Sequence, residues 1–197
     1  MLIVDELRLE RVALAGSSLG GGLCLLLALM APTRIERILL FNPAVYPQYL
    51  PWLYRIARVP VLGEVLMLTT PAEALVEGVA RLGYTVPEKM PDELRRCYTR
   101  NLAHLRNRWQ LMDVIRQLPG HPRDGLEQTA RFKHVRQPVL LIWGQQERLL
   151  EITTPQRLRQ DLPNVRVVTY EDLAHLPQDE APQRLGPVVA EWLATAL

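Results

Sequence analysis

Cysteine is nearly absent. The two in 197 residues, Cys24 and Cys97, have no paired spacing and no nearby histidine, so they read as small buried hydrophobes rather than as a disulfide or a metal site. Long apolar runs are also missing. The longest, Leu23 to Ala31, is far short of the ~20 residues that cross a bilayer, and no signal-peptide pattern opens the chain. A soluble, cytoplasmic protein is the expectation. Charge of one sign is lacking too, with 23 Lys/Arg against 21 Asp/Glu for a net charge of +2. No groove-reading motif accompanies it, which argues against nucleic acid as a partner. There is no internal repeat, low-complexity tract or phosphate-cradling P-loop. The chain has 48% hydrophobic and 22% charged residues, enough to bury one sizeable core and too apolar for disorder.

The most informative segment is Gly16-Ser17-Ser18-Leu19-Gly20, between the apolar run Arg11 to Ala15 and the small-then-apolar run Gly20 to Ala28. It reads as strand, sharp turn and helix, with a serine at the apex. Such a turn strains its central residue and asks for small residues two before and two after it. Only Ser18 has glycine at both places, Gly16 and Gly20. The competing reading is a glycine-rich turn whose serine merely caps the helix.

A serine hydroxyl needs a base to take its proton, and the base needs a third group to fix its tautomer. Gln137 to Trp143 reads as a strand buried on both faces, and Gly144-Gln-Gln-Glu147 leaves its C-terminal end, making Glu147 the candidate acid. A further strand, Val165 to Tyr170, leads into the loop Glu171-Asp-Leu-Ala-His175, making His175 the candidate base, and a helix runs from about Ala181 to Leu197. Asp172 is a competitor, though it can bond its own loop, and Glu151 reads as a solvated side chain. His104, His121 and His134 follow no strand end.

These residues resemble those of the α/β-hydrolases, specifically the branch with a helical cap, and the resemblance covers the whole chain. Pro138 to Gly144 with an acid three residues on, Ala174-His175 with Glu180-Ala-Pro182 after it, and the chain order Ser, acid, His all match. Most members carry aspartate where Glu147 stands. In some branches the acid follows the strand after the nucleophile helix, here Arg37 to Phe41, but that position holds neutral Asn42. The resemblance implies an α/β fold: the C-terminal part of a mostly parallel sheet of about four strands, with helices on both faces. It divides the chain into a core part at 1–44, a helical cap at 45–135 and a second core part at 136–197. It implies no cofactor and no metal, and an oxyanion-binding N–H at Leu19.

The cap is expected to cover the active site. Its first part is dense in aromatic and aliphatic groups, so the substrate should have an apolar portion, with Tyr46, Tyr49, Trp52 and Tyr54 as candidate contacts. Asp92 to Leu118 reads as one helical pattern whose stripe of Leu94, Tyr98, Leu102, Leu105, Trp109, Met112 and Ile115 is core. Ten basic residues against three acidic ones between Arg95 and Arg136 make this part locally basic, a field that could steer an anionic substrate or simply form a solvated face.

In the resembled fold several strands precede the serine, whereas here Val12 to Ala15 is the first. The expectation is a fragment of a longer product, or a chain completed by another one. Its apolar strand edge would be open to pairing or oligomerisation, and its activity alone would be weak. The reading is a serine hydrolase of an ester or related carbonyl substrate. Its alternatives are a C–C bond hydrolase, a cofactor-free haloperoxidase or an acyltransferase of the same fold, and a truncated non-catalytic module.

Overall fold

The computed structural model describes residues 2–49, 51–118, 121 and 126–194. In chain order the elements are α1 (Leu2–Glu6), β1 (Val12–Ser17), α2 (Leu19–Met30), β2 (Ile35–Phe41), α3 (Trp52–Ala57), α4 (Leu62–Thr69), α5 (Ala72–Gly83), α6 (Asp92–Ala103), α7 (Leu105–Gln117), α8 (Leu126–Thr129), β3 (Val139–Gly144), α9 (Thr154–Asp161), β4 (Val165–Tyr170), α10 (Pro177–Glu180) and α11 (Pro182–Ala194). They divide into two compact units, one of residues 1–46 with 125–197 and the other of residues 47–124.

The first unit is built on a parallel sheet in the order β1-β2-β3-β4. Apolar side chains alternate across it. Ile38, Leu40, Leu141 and Trp143 pack with Cys24, Leu25 and Ala28 of α2 and Leu158 of α9. Leu39, Leu140 and Ile142 pack on the other face with Leu185 and Trp192 of α11. All six residues of β3 are buried, which is why that strand reads as an unbroken apolar run. Arg37 is buried as well, its guanidinium donating to the carbonyls of Trp192 (3.0 Å) and Leu193 (2.9 Å) at the end of α11, where a helix leaves carbonyls without partners. Among the described residues, β1 at one edge pairs with β2 alone. Its Val12 and Leu14 pack toward α2, while Ala13 and Ala15 are exposed.

The second unit is helical and has a small core of Met67, Met112 and Ile115, with Tyr54, Ala57 and Leu75 packed around it. Here the single pattern expected over Asp92 to Leu118 is broken. His104 adopts extended backbone (φ −86°, ψ 121°) between α6 and α7. Two side chains compensate: Asn107 Nδ2 donates to the Asn101 carbonyl at 2.8 Å, and Arg108 Nε donates to that of Leu102 at 2.5 Å. The break shifts the helical phase, so Leu105 and Trp109 of the expected core stripe are exposed while Arg108 is buried beside Met112 and Ile115. Cys97 also departs from expectation. It is only partly buried on α6 and accepts a hydrogen bond from Asn101. Among the described residues no helix is long and apolar enough to cross a membrane.

Candidate active site

Four consecutive strand ends supply the site. β1 ends at Ser17 and α2 begins at Leu19, so the whole reversal falls on Ser18, whose backbone is at φ 52° and ψ −123°. A non-glycine residue at positive φ costs on the order of 1–3 kcal/mol and persists only where its surroundings enforce it. They do so here. Ser18 N–H donates to the Phe41 carbonyl at 3.0 Å, and the Ser18 carbonyl accepts from Gly21 N–H at 3.0 Å and Ala44 N–H at 2.8 Å.

The glycines work differently from expectation. A β-carbon on Gly16 would lie 2.4 Å from the Gly20 carbonyl oxygen, so that position must be glycine, but one on Gly20 would meet nothing within 4 Å. The close approach after the turn falls instead on Gly21, 2.5 Å from Pro43 Cβ, and Gly22, 2.5 Å from the Ala44 oxygen. Leu19 opens α2, where the first N–H groups of a helix have no intrahelical acceptor.

Beyond β3 and β4 the structure brings Glu147 and His175 together. His175 Nδ1 lies 2.6 Å from Glu147 Oε2, with 5% of the histidine side chain exposed and none of the glutamate's. A carboxylate oxygen can only accept, so Nδ1 carries the proton. The two loops are tied through their main chains. Gln145 N–H donates to the Tyr170 carbonyl at 2.8 Å and Gln146 N–H to that of Leu173 at 2.9 Å. Gly144 packs so tightly there that a β-carbon would sit 2.2 Å from the Ala174 oxygen. Glu180 Oε1 accepts from Ala174 N–H at 2.7 Å, fixing the residue before the histidine.

Glu147 is well supplied with donors. Its Oε1 accepts the N–H groups of Arg148 (2.9 Å), Leu149 (2.7 Å) and Leu150 (3.3 Å), and its Oε2 accepts Asn42 Nδ2 at 2.7 Å as well as His175. Burial pushes its pKa up, but the hydrogen bond and charge of His175, the Leu149 N–H and the Asn42 amide together hold it below the ordinary glutamate value. Among the described residues nothing bonds His175 Nε2 or the Ser18 hydroxyl. The serine-to-histidine bond is thus unmade, as is common in unliganded sites.

The competitors lie elsewhere. Asp172 is exposed and paired with Arg184 at 2.5 Å, and Glu151 faces Arg157 at 3.6 Å. The aromatic candidates separate. Tyr46 is placed by its contacts in the sheet unit. It belongs to the sheet unit's core, its hydroxyl donates to Asp161 at 2.6 Å and its ring lies edge-on to Phe132. Tyr54 packs on the core of the helical unit, where burial raises its pKa, whereas Tyr49 and Trp52 are exposed. Of the basic residues, Arg95 pairs with Glu77 and Arg116 with Glu64, and Arg108 donates to main-chain carbonyls. An apolar cleft of about 300 Å³ beside α11, lined by Phe41, Gln178, Leu185 and Val189 among others, contains none of Ser18, Glu147 and His175. Among the described residues no three His, Cys, Asp or Glu side chains could share a metal ion.

The family model for the alpha/beta hydrolase fold matches residues 2–182. A 2-hydroxy-6-oxononadienedioate/2-hydroxy-6-oxononatrienedioate hydrolase of Cupriavidus pinatubonensis is 25% identical over 194 residues, which cover 97% of this chain and 65% of the relative. The chain thus spans about two thirds of that relative's length. Among solved structures, a 2-hydroxy-6-oxo-6-phenylhexa-2,4-dienoate hydrolase from a Rhodococcus superposes with a TM-score of 0.76 at 20% identity, covering 98% of this chain and 67% of that one. A carboxylesterase of Bacillus subtilis superposes with a TM-score of 0.76 at 23% identity, covering 99% and 64%.

Proposed function

This chain belongs to the α/β-hydrolase fold family, and on that premise we propose that it contributes the catalytic centre of a serine hydrolase acting on an ester or related carbonyl substrate with an apolar portion. Ser18 Oγ attacks the carbonyl carbon while His175 Nε2 takes its proton. Glu147, bonded to Nδ1–H, holds the ring in the tautomer that leaves Nε2 free to accept, and it stabilises the imidazolium that forms. Leu19 N–H donates to the developing oxyanion. The imidazolium then returns the proton to the leaving group, and water activated by the same histidine releases the acyl group. The observation that carries this reading is the buried 2.6 Å pair of Glu147 and His175, on a sheet whose β1 is followed directly by Ser18 at φ 52°.

A second reading, hydrolysis of a C–C bond in an anionic oxo-acid, draws support from the printed substrates of the relatives. The open β1 edge supports a further proposal, that this strand pairs with another one. The test is turnover of short-chain p-nitrophenyl esters and of a 2-hydroxy-6-oxodienedioate by the chain and its Ser18→Ala variant. Ester hydrolysis that disappears with Ser18→Ala is expected. A dienedioate rate exceeding the ester rates moves the assignment to the second reading, and turnover that survives Ser18→Ala overturns both.

A further inference from the structure

Asn42 is neutral at a position where some branches of the family carry the acid, yet its amide makes three hydrogen bonds beside the site. It is fully buried, at the C-terminal end of β2, with its backbone at φ 36°. That left-handed region admits asparagine more readily than most residues. Its Oδ1 accepts Gly144 N–H at 2.9 Å, and its Nδ2 donates to the Gly144 carbonyl at 3.2 Å and to Glu147 Oε2 at 2.7 Å. Its own N–H donates to the Ile142 carbonyl at 3.1 Å.

The side chain therefore grips the peptide of Gly144, from which the acid loop departs, and turns its remaining N–H on the carboxylate itself. We infer that Asn42 is a positioning residue for the acid, fixing the Glu147 oxygen that faces His175. The inference rests on the serine-hydrolase reading above.

Two physical points carry it. First, the two carboxylate oxygens are held by different means. Oε1 is fixed by three N–H groups of its own turn, whereas Oε2 has only Asn42 and His175. Without Asn42, the ring that Oε2 is meant to orient would supply the one remaining hydrogen bond to that oxygen. Glutamate has one more side-chain torsion than aspartate, so an acid loop built on glutamate needs that second restraint more. Second, no other residue supplies the pattern. The site asks for one acceptor and two donors in one plane, which is the asparagine amide. Aspartate would keep the acceptor for Gly144 N–H, but would aim an oxygen at the Gly144 carbonyl and at Glu147 Oε2, placing two carboxylates in contact in a buried space.

The test is a mutant cycle on the full chain, read by the rate at which a fluorophosphonate probe labels Ser18 and by thermal melting. Asn42→Ala is expected to slow labelling about 10²-fold, and Glu147→Gln about 10⁴-fold. The double variant should be no slower than Glu147→Gln alone, because Asn42 acts only through that carboxylate. Asn42→Asp keeps the size and the Gly144 N–H bond, and serves if Asn42→Ala does not fold. It should melt as a folded protein and label at least as slowly as expected for the alanine.

As a readout independent of labelling, the His175 Nδ1 proton resonance should move upfield or broaden in either Asn42 variant. Folded Asn42 variants that label within threefold of wild type, or costs that multiply in the double variant, overturn the inference while leaving the serine reading in place. Absence of labelling in the wild-type chain, or labelling that survives Ser18→Ala, removes the serine reading itself.

Discussion

Polar side chains are buried in both units of this molecule, and they are put to different uses. In the sheet unit Asn42, Glu147 and His175 meet at the C-terminal ends of parallel strands and bond to one another. In the helical unit Arg108, a buried charged group, donates to the carbonyls of Met67, Leu68, Thr70 and Leu102. One arrangement leaves a histidine nitrogen available for chemistry, while in the other every recorded bond of the guanidinium goes to the backbone. Backbone strain divides in a parallel way. Ser18 and Asn42 hold positive φ at the ends of adjacent strands, whereas Val61 holds it (φ 68°) at an exposed turn before α4. In this molecule buried polar groups mark the candidate site where they bond to one another, and positive φ marks it where the strained residue carries the candidate nucleophile or holds the candidate acid.

The comparison predicts that substitutions in the sheet unit's cluster cost rate and those in the helical unit cost stability. The largest effect is expected for Ser18→Ala and for His175→Ala, each lowering kcat on the order of 10⁶-fold in an ester assay, because nucleophile and base act as one unit. Ser18→Ala should leave the melting temperature nearly unchanged, whereas His175→Ala should lower it by taking the partner from the buried Glu147 carboxylate. Next, Glu147→Gln should cost about 10⁴-fold, while Asp172→Asn at the exposed Arg184 pair should stay within twofold. A near-neutral Glu147→Gln beside an inactive Asp172→Asn would reverse the choice of acid. The same carboxyl sets a pH dependence. A folded pKa held below the unfolded value contributes stability that is present above the ordinary glutamate range and lost as pH falls below it. Acid denaturation of wild type and Glu147→Gln should accordingly converge at low pH.

Arg108→Met belongs to the other side of the comparison. Leaving buried carbonyls without a donor should destabilise by on the order of 2–3 kcal/mol in denaturant melts, with per-molecule labelling of Ser18 unchanged in the folded fraction. The smallest effect separates two glycines of one turn. Gly16→Ala meets the Gly20 carbonyl and should cost about 1–3 kcal/mol. Gly20→Ala, in open space near the start of a helix, should stabilise by roughly 0.5–1 kcal/mol.

What could be read from the sequence follows the same division. The strands and the elbow were legible because short runs rich in apolar β-branched residues and a serine between glycines are local patterns, and Glu147 and His175 each follow such a strand. Asn42 was not, because its role exists only where it meets Gly144, 102 residues away. Among Gly20, Gly21 and Gly22, the approach of Pro43 and Ala44 decides which must be glycine, and no local pattern carries that. The helix break at His104 has no glycine or proline to announce it; it is stabilised by Asn107 and Arg108 taking the carbonyls that the break frees. Tyr46 lies in an aromatic run that continues into the helical unit, yet its partners Asp161 and Phe132 belong to the sheet unit.

The central claim is that Ser18 is the activated nucleophile, and the most direct measurement is the site of fluorophosphonate modification in the intact chain, mapped by peptide mass spectrometry. The account predicts a single adduct on Ser18 that disappears in His175→Ala. An adduct on Ser17, or one on Ser18 that forms equally well without His175, would contradict it.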